Sequence, residues 1–260
     1  MILCFDIHTI IFVYLEFECK HKYRRTCKQL YKIHIDDLLN ITDKYLIKID
    51  DNILKNYRDT KVLYVKNPKI IDINFLTKLK TLIANGGMCS INNNSIINCT
   101  NIEELDISYN KKITDINCLT KLKKTSIIGC NIPNTGIMNC TNIEILKVTR
   151  NMMLTDINHL TNLKKLLAHG RCGIRDKGIT KCIKIETLDV SQNPHVTDLN
   201  HLVDLRELSI YGVCGVSDGG IKKCQKIEIL DISMNQRVTN IDHLINLKNV
   251  ATFGNLNFVK

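Results

Sequence analysis

The stretch Leu188-Asp-Val-Ser-Gln-Asn193 recurs along the chain with small changes. Its other copies are Leu105-Asp-Ile-Ser-Tyr-Asn110, Leu146-Lys-Val-Thr-Arg-Asn151 and Leu230-Asp-Ile-Ser-Met-Asn235. Successive copies begin 41, 42 and 42 residues apart. A fixed period of this size is the signature of a solenoid, in which each repeat packs mainly on its neighbours.

Each block of the repeat contains two turns of the solenoid, which we call coils. Type A coils open as quoted above, and type B coils open like Leu208-Ser-Ile-Tyr-Gly-Val-Cys214. Both carry apolar residues in the order Leu-x-Leu-x-x-Asn/Cys-x-Leu. Type A coils begin at Leu63, Leu105, Leu146, Leu188 and Leu230, and type B coils at Leu82, Thr125, Leu166, Leu208 and Val250. Nine full coils and a fragment therefore occupy residues 62–260.

The letters of one coil predict its local structure. Leu-Asp-Ile-Ser alternates apolar and polar residues, as expected of a short strand with one buried face. The asparagine after each type A strand falls where the chain turns, so its amide can pair buried backbone groups of neighbouring coils. This predicted structural ladder comprises Asn67, Asn110, Asn151, Asn193 and Asn235. Type B coils have a glycine and then a cysteine there, and a buried thiol is a small hydrophobe that can fill the same slot.

These motifs resemble two classes of leucine-rich repeat. Type A coils resemble the 22-residue class of internalin-like proteins, and type B coils resemble the cysteine-containing class of F-box proteins. The resemblance implies an α/β leucine-rich-repeat solenoid, with parallel β-strands on the concave face and short helices or turns on the convex face. Such proteins share a binding role but no common partner. The arrangement also resembles the leucine-rich-repeat gene families of large DNA viruses, including insect poxviruses, which implies a viral protein.

Twelve cysteines suggest disulfides or a metal site, and a net charge of +10 suggests a nucleic-acid partner, but the sequence pattern supports none of these. Eight cysteines form pairs ten residues apart in type B coils, so they recur with the repeat and are expected to be reduced and buried. His159, His201 and His243 share one position with Phe75 and Cys118, which indicates a packing slot rather than a metal site. No basic run is interleaved with aromatic residues, so no nucleic-acid partner is predicted.

The sequence contains none of the common catalytic motifs. Phosphate-binding glycine loops, His-Glu-x-x-His and Gly-x-Ser-x-Gly are all missing. Asp115, Asp156 and Asp198 recur at the start of each outer arm, where capping of the next turn explains them better than catalysis. We therefore expect a protein that is not an enzyme and uses no cofactor or metal.

The non-repeating N-terminus carries a second resemblance. Ile11, Tyr14, Leu15, Thr26 and Cys27 follow the pattern of an F-box, although its Leu-Pro opening is missing. The resemblance implies an F-box-like helical segment over residues 1–35, in which Ile11, Leu15 and Cys27 bind a Skp-type adaptor. Residues 36–61 would be a linker or N-terminal cap. The alternative is that the whole segment only covers the first coil, as every solenoid requires.

The outward strand residues are the predicted working surface. Tyrosine, arginine and methionine are enriched at protein interfaces, so we expect five concave-face residues to contact a target protein. They are Tyr109, Arg150, His169, Tyr211 and Met234. The apolar stretch 10–15 is too short to span a membrane, which favours a cytoplasmic protein without a membrane partner. We also expect a monomer. The favoured function is a substrate-recognition adaptor of a cullin–RING ubiquitin ligase. The alternative is a stand-alone scaffold or a host-factor-binding viral protein without a ligase role.

Overall fold

The computed structural model describes residues 50–65 and 68–258. A short helix, α1 (Asp51–Leu54), precedes ten strands of three residues each. The strands are β1 (Val62–Tyr64), β2 (Thr81–Ile83), β3 (Glu104–Asp106), β4 (Lys124–Ser126), β5 (Ile145–Lys147), β6 (Lys165–Leu167), β7 (Thr187–Asp189), β8 (Glu207–Ser209), β9 (Ile229–Asp231) and β10 (Asn249–Ala251). They form one parallel sheet in sequential order, which confirms the predicted solenoid.

The middle residue of each strand faces the core. Leu82 pairs in register with Leu63 and Leu105, and the same alignment continues through the sheet to Val250. Because strand side chains alternate between faces, the two residues on either side of each middle residue point away from the core. Thr125 replaces leucine in β4 and is buried, and its hydroxyl has no hydrogen-bond partner.

The outer arms differ between the two coil types. Four type B coils each contain a short 3-10 helix, and the type A arms in the described ranges contain only turns. These helices are Asn93–Ser95, Asn134–Gly136, Asp176–Gly178 and Asp218–Ile221. Ile179 and Cys182, which follow the third of these helices, are both buried.

Residues 50–61 cover the start of the solenoid. Leu54 and Tyr57 are buried, and the Asp51 carboxylate accepts a hydrogen bond from the backbone of Ile71 at 2.9 Å. The predicted F-box residues Ile11, Leu15 and Cys27, and the predicted ladder residue Asn67, lie outside the described residues. In the described part of the chain, no helix is long and apolar enough to cross a membrane.

Candidate partner-binding face

The asparagine ladder holds neighbouring type A and type B coils together. The Asn193 amide donates to the carbonyls of Ala168 at 3.3 Å and Ile174 at 3.2 Å, and its oxygen accepts from the His195 backbone. Asn110 and Asn235 make the corresponding pairs of bonds. Asn151 donates only to Ile132, at 3.2 Å. Each of these four amides thus bonds to a backbone carbonyl of the preceding coil.

The type B thiols do more than fill space. Cys130 donates to the carbonyl of Ile107 at 3.0 Å, and Cys214 donates to that of Val190 at 3.3 Å. These carbonyls correspond to the one that Asn193 reaches at Ala168, so the expectation of a purely hydrophobic role was incomplete. Asn255 takes the cysteine's place in the last coil and donates to Val238 at 3.0 Å.

The second cysteine of each pair lies in the outer arm. Cys140 and Cys182 donate to the carbonyls of Ile116 and Ile157 at 3.2 and 3.3 Å. Burial raises the pKa of both thiols to about 12, so neither forms the reactive thiolate at neutral pH. All nine cysteines in the described ranges are free thiols.

The recurring histidines have a structural role. His159, His201 and His243 each place Nε2 3.1 Å from a carbonyl oxygen of the preceding coil. Cys118 occupies the same position and donates to Ile96 at 3.7 Å. Burial lowers the pKa of His159, which favours the neutral ring. The predicted packing slot is confirmed by these contacts.

A second amide ladder, which was not predicted from the sequence, follows the outer arms. The Asn158 side chain donates to the Lys177 carbonyl at 2.8 Å and accepts from the Lys181 backbone at 2.8 Å. Asn200 makes the same two contacts one block later. Asp198 accepts from the Asn200 backbone at 2.9 Å, in agreement with the expected capping role. The recurring Asp-x-Asn motif was the sequence pattern from which this second ladder could have been predicted.

An alternating charge ladder runs along the edge where the strands begin. Its members are Lys80, Glu103, Lys123, Glu144, Lys164, Glu186, Arg206, Glu228 and Lys248. The ammonium groups of Lys80 and Lys123 both donate hydrogen bonds to the Glu103 carboxylate, and these bonds lower the pKa of that carboxyl to about 2. Glu228 lies between Arg206 at 2.8 Å and Lys248 at 2.6 Å. The charges of this edge are therefore largely paired within the chain.

The outward side of the sheet, which we call the strand face, contains the predicted contact residues. Tyr109 and Met234 are 50% and 47% exposed, Arg150 is also exposed, and His169 and Tyr211 are partly exposed. All five lie two or three residues after the end of a strand, so they form a row along the edge of this face where the strands end. The Tyr211 hydroxyl lies 3.3 Å from the Met234 sulfur.

Three residues of this row have an unusual backbone. Tyr109, Arg150 and Met234 adopt φ angles of 62°, 60° and 57°, and Gln192, at the equivalent position, adopts 56°. This left-handed conformation costs an ordinary residue about 1–2 kcal/mol. Type B coils place a glycine there, with φ between 63° and 86°. The recurring glycine of the type B coils indicated that this position requires a left-handed backbone. Type A coils adopt the same strained conformation with a residue that has a side chain.

Comparisons with known proteins support the fold. No family model and no curated protein sequence matches the chain. An internalin (InlF) from Listeria monocytogenes is similar at TM-score 0.55 and 20% identity, over 77% of this chain and 70% of that one. Internalin C2 from the same organism matches at 0.49 and 18%, over 78% and 84%. The functional domain of its InlJ matches at 0.47 and 19%, over 79% and 56%. The InlF likeness supports a leucine-rich-repeat solenoid.

Proposed function

We propose that this solenoid is a protein-binding module and that the strand face binds its partner. The supporting observation is the row of Tyr109, Arg150, His169, Tyr211 and Met234 on one edge of a backbone-paired sheet. Such a sheet holds side chains in fixed positions, which lowers the entropy lost on binding. The row is rich in the residue types that contribute most to protein interfaces.

Binding alone is sufficient for this role, and we propose no catalytic activity. In residues 50–65 and 68–258, no group of three His, Cys, Asp or Glu side chains is arranged to hold a metal ion. The recurring thiols and imidazoles are bonded to backbone carbonyls. The groups that first suggest chemistry thus stabilise the stack of coils.

An alanine scan tests the binding face. We expect at least two of the single substitutions Tyr109→Ala, Arg150→Ala, His169→Ala, Tyr211→Ala and Met234→Ala to weaken partner affinity by about tenfold, or 1.4 kcal/mol. Met138→Ala and Lys181→Ala remove exposed side chains elsewhere and are the controls. Calorimetric titration with the partner measures affinity. If none of the five substitutions changes the affinity, the partner does not bind at this edge.

The finer proposal is that the chain is a substrate-recognition adaptor of a cullin–RING ubiquitin ligase in the cytoplasm. Its support is the F-box resemblance of the N-terminal residues, including Ile11, Leu15 and Cys27. Holding a target near a separate catalyst raises the effective concentration of the target, and that would be the whole mechanism. The alternative is a stand-alone scaffold or a host-factor-binding viral protein.

A pull-down with the full chain separates these two roles. The ligase role predicts recovery of a Skp-type adaptor, and loss of that adaptor with Leu15→Ala plus Cys27→Ala. The same variant should still capture the strand-face partner, because neither substituted residue belongs to the repeats of the solenoid. Val203→Ala, an exposed residue of the solenoid, is the control. A wild-type chain that captures its partner without any adaptor would support the scaffold.

A further inference from the structure

Charge on the strand face is divided into zones. Strands β4, β5 and β6 carry Lys124, Lys147 and Lys165 among their outward residues and no acidic residue there. The next three strands carry Asp189, Glu207 and Asp231. The preceding strand, β3, carries Glu104 and Asp106. A basic zone is therefore bounded by carboxylates on both sides.

The three lysines surround an apolar centre. Ile145 pairs in register with Lys124 on one side and Lys165 on the other, and Lys147 pairs with Leu167. Neighbouring strands lie about 4.8 Å apart, so the Cα atoms of Lys124 and Lys165 are separated by roughly 10 Å. These residues line a shallow groove together with Ile83, Glu104 and Asp106.

These lysines differ from the lysines of the edge ladder. Lys123 and Lys164 are ion-paired with glutamates at 3.0 and 2.9 Å. Lys124, Lys147 and Lys165 form no ion pair with any other described residue, although Glu104 is level with Lys124. Three unpaired ammonium groups near one another repel, and an anionic ligand would relieve that repulsion. The hydrogen bond from Lys164 lowers the pKa of the Glu144 carboxyl, and the charge of Lys124 adds to this effect. Lys147 and Lys165 therefore carry the charge that is most available to a partner.

We infer that the groove over β4–β6 is the docking site for an acidic segment of the protein partner. The segment would place carboxylates near Lys124, Lys147 and Lys165 and an apolar side chain over Ile145 and Leu167. This inference rests on the proposed function, because it names the chemistry of the partner at the same face. The carboxylates of β3 and β7–β9 limit how far the acidic segment extends.

The same observations disfavour a nucleic acid. The basic zone is only three strands wide, about 10 Å between its outer strands. A phosphate backbone that continued beyond it would meet Glu104 and Asp106 on one side and Asp189 on the other. Single-stranded nucleic acid also stacks on aromatic side chains, and the outward residues of β4–β6 include none. A short acidic peptide fits these dimensions.

The test uses the full chain and a labelled peptide, Glu-Glu-Leu-Glu-Glu. At low ionic strength, fluorescence anisotropy should show binding that weakens with added salt. Lys147→Glu with Lys165→Glu should reduce affinity about tenfold or more, since it places like charges opposite the peptide. Lys181→Glu with Lys222→Glu makes the same change in net charge on the outer arms, and affinity should change by less than about twofold.

Three results would overturn the inference. They are no peptide binding, an equal loss in both lysine pairs, or tighter binding of a single-stranded oligothymidylate at Lys147 and Lys165. Circular dichroism and thermal melts check that both variants fold. Partner capture separates this inference from the proposed function. Capture that survives Lys147→Glu with Lys165→Glu but is lost in the alanine scan would reject only the acidic segment.

Discussion

Gly220→Ala is expected to destabilise the solenoid by about 3 kcal/mol, whereas Gly219→Ala, one residue earlier, should be nearly neutral. A Cβ atom on Gly220 would lie 2.1 Å from the carbonyl oxygen of Thr197 in the preceding coil. At Gly219 the nearest atom is the Ser217 hydroxyl at 4.0 Å. The two substitutions add the same methyl group to the same 3-10 helix, so only the contact differs.

The clash at Gly220 cannot be relieved by a side-chain rotation, because the obstacle is backbone. The Gly220 carbonyl also accepts the Leu199 amide at 2.8 Å, so any shift would break a hydrogen bond between coils. Gly178 occupies the same place one block earlier, where an added Cβ atom would lie 2.0 Å from the Thr155 carbonyl oxygen. Urea unfolding of the two variants measures the difference. Equal midpoints for Gly219→Ala and Gly220→Ala would contradict the described packing of coils.

Asn193→Ala is expected to cost about 2–4 kcal/mol, and Asn151→Ala about 1 kcal/mol less. Asn193 satisfies two buried carbonyls and one backbone amide, whereas Asn151 satisfies one carbonyl, that of Ile132, and the Met153 amide. Each buried polar group left unpaired costs about 1–3 kcal/mol, and that cost explains the order.

Asn139→Ala is the matched control for the ladder, because this exposed asparagine lies on a turn of the outer arm. Its midpoint of urea unfolding should be close to that of the unchanged chain. The ladder account fails if Asn193→Ala is as stable as Asn139→Ala. It also needs revision if Asn151→Ala proves more damaging than Asn193→Ala.

The fold could be predicted because each coil repeats the same physical solution. Leu188 and Leu208 are buried for the same reason, and alternation over a few residues is enough to place them on the core side of a strand. The asparagine ladder was predictable as well, since an amide at a buried turn has few other uses. A period repeated along the chain averages out the errors of local prediction.

The charge pattern of the binding face was harder to predict. Lys123 and Lys124 are adjacent in sequence, yet one is paired in the edge ladder and the other faces outward from the sheet. Only the register between coils distinguishes the two lysines, because a shift of one residue along a strand moves a side chain to the opposite face of the sheet. The left-handed backbone at Tyr109 and Met234 was also missed, since nothing in those residues demands it. The equivalent glycines carried that information.

Site-specific photocrosslinking tests the central claim, that the strand face binds the partner. A benzoylphenylalanine at Lys147 would stand on the strand face, and one at Thr161 on the outer arm of the same coil. The account predicts a covalent adduct of one discrete mass with the partner from position 147, and none from position 161. Adducts from position 161 alone, with both variants folded and binding, would contradict it.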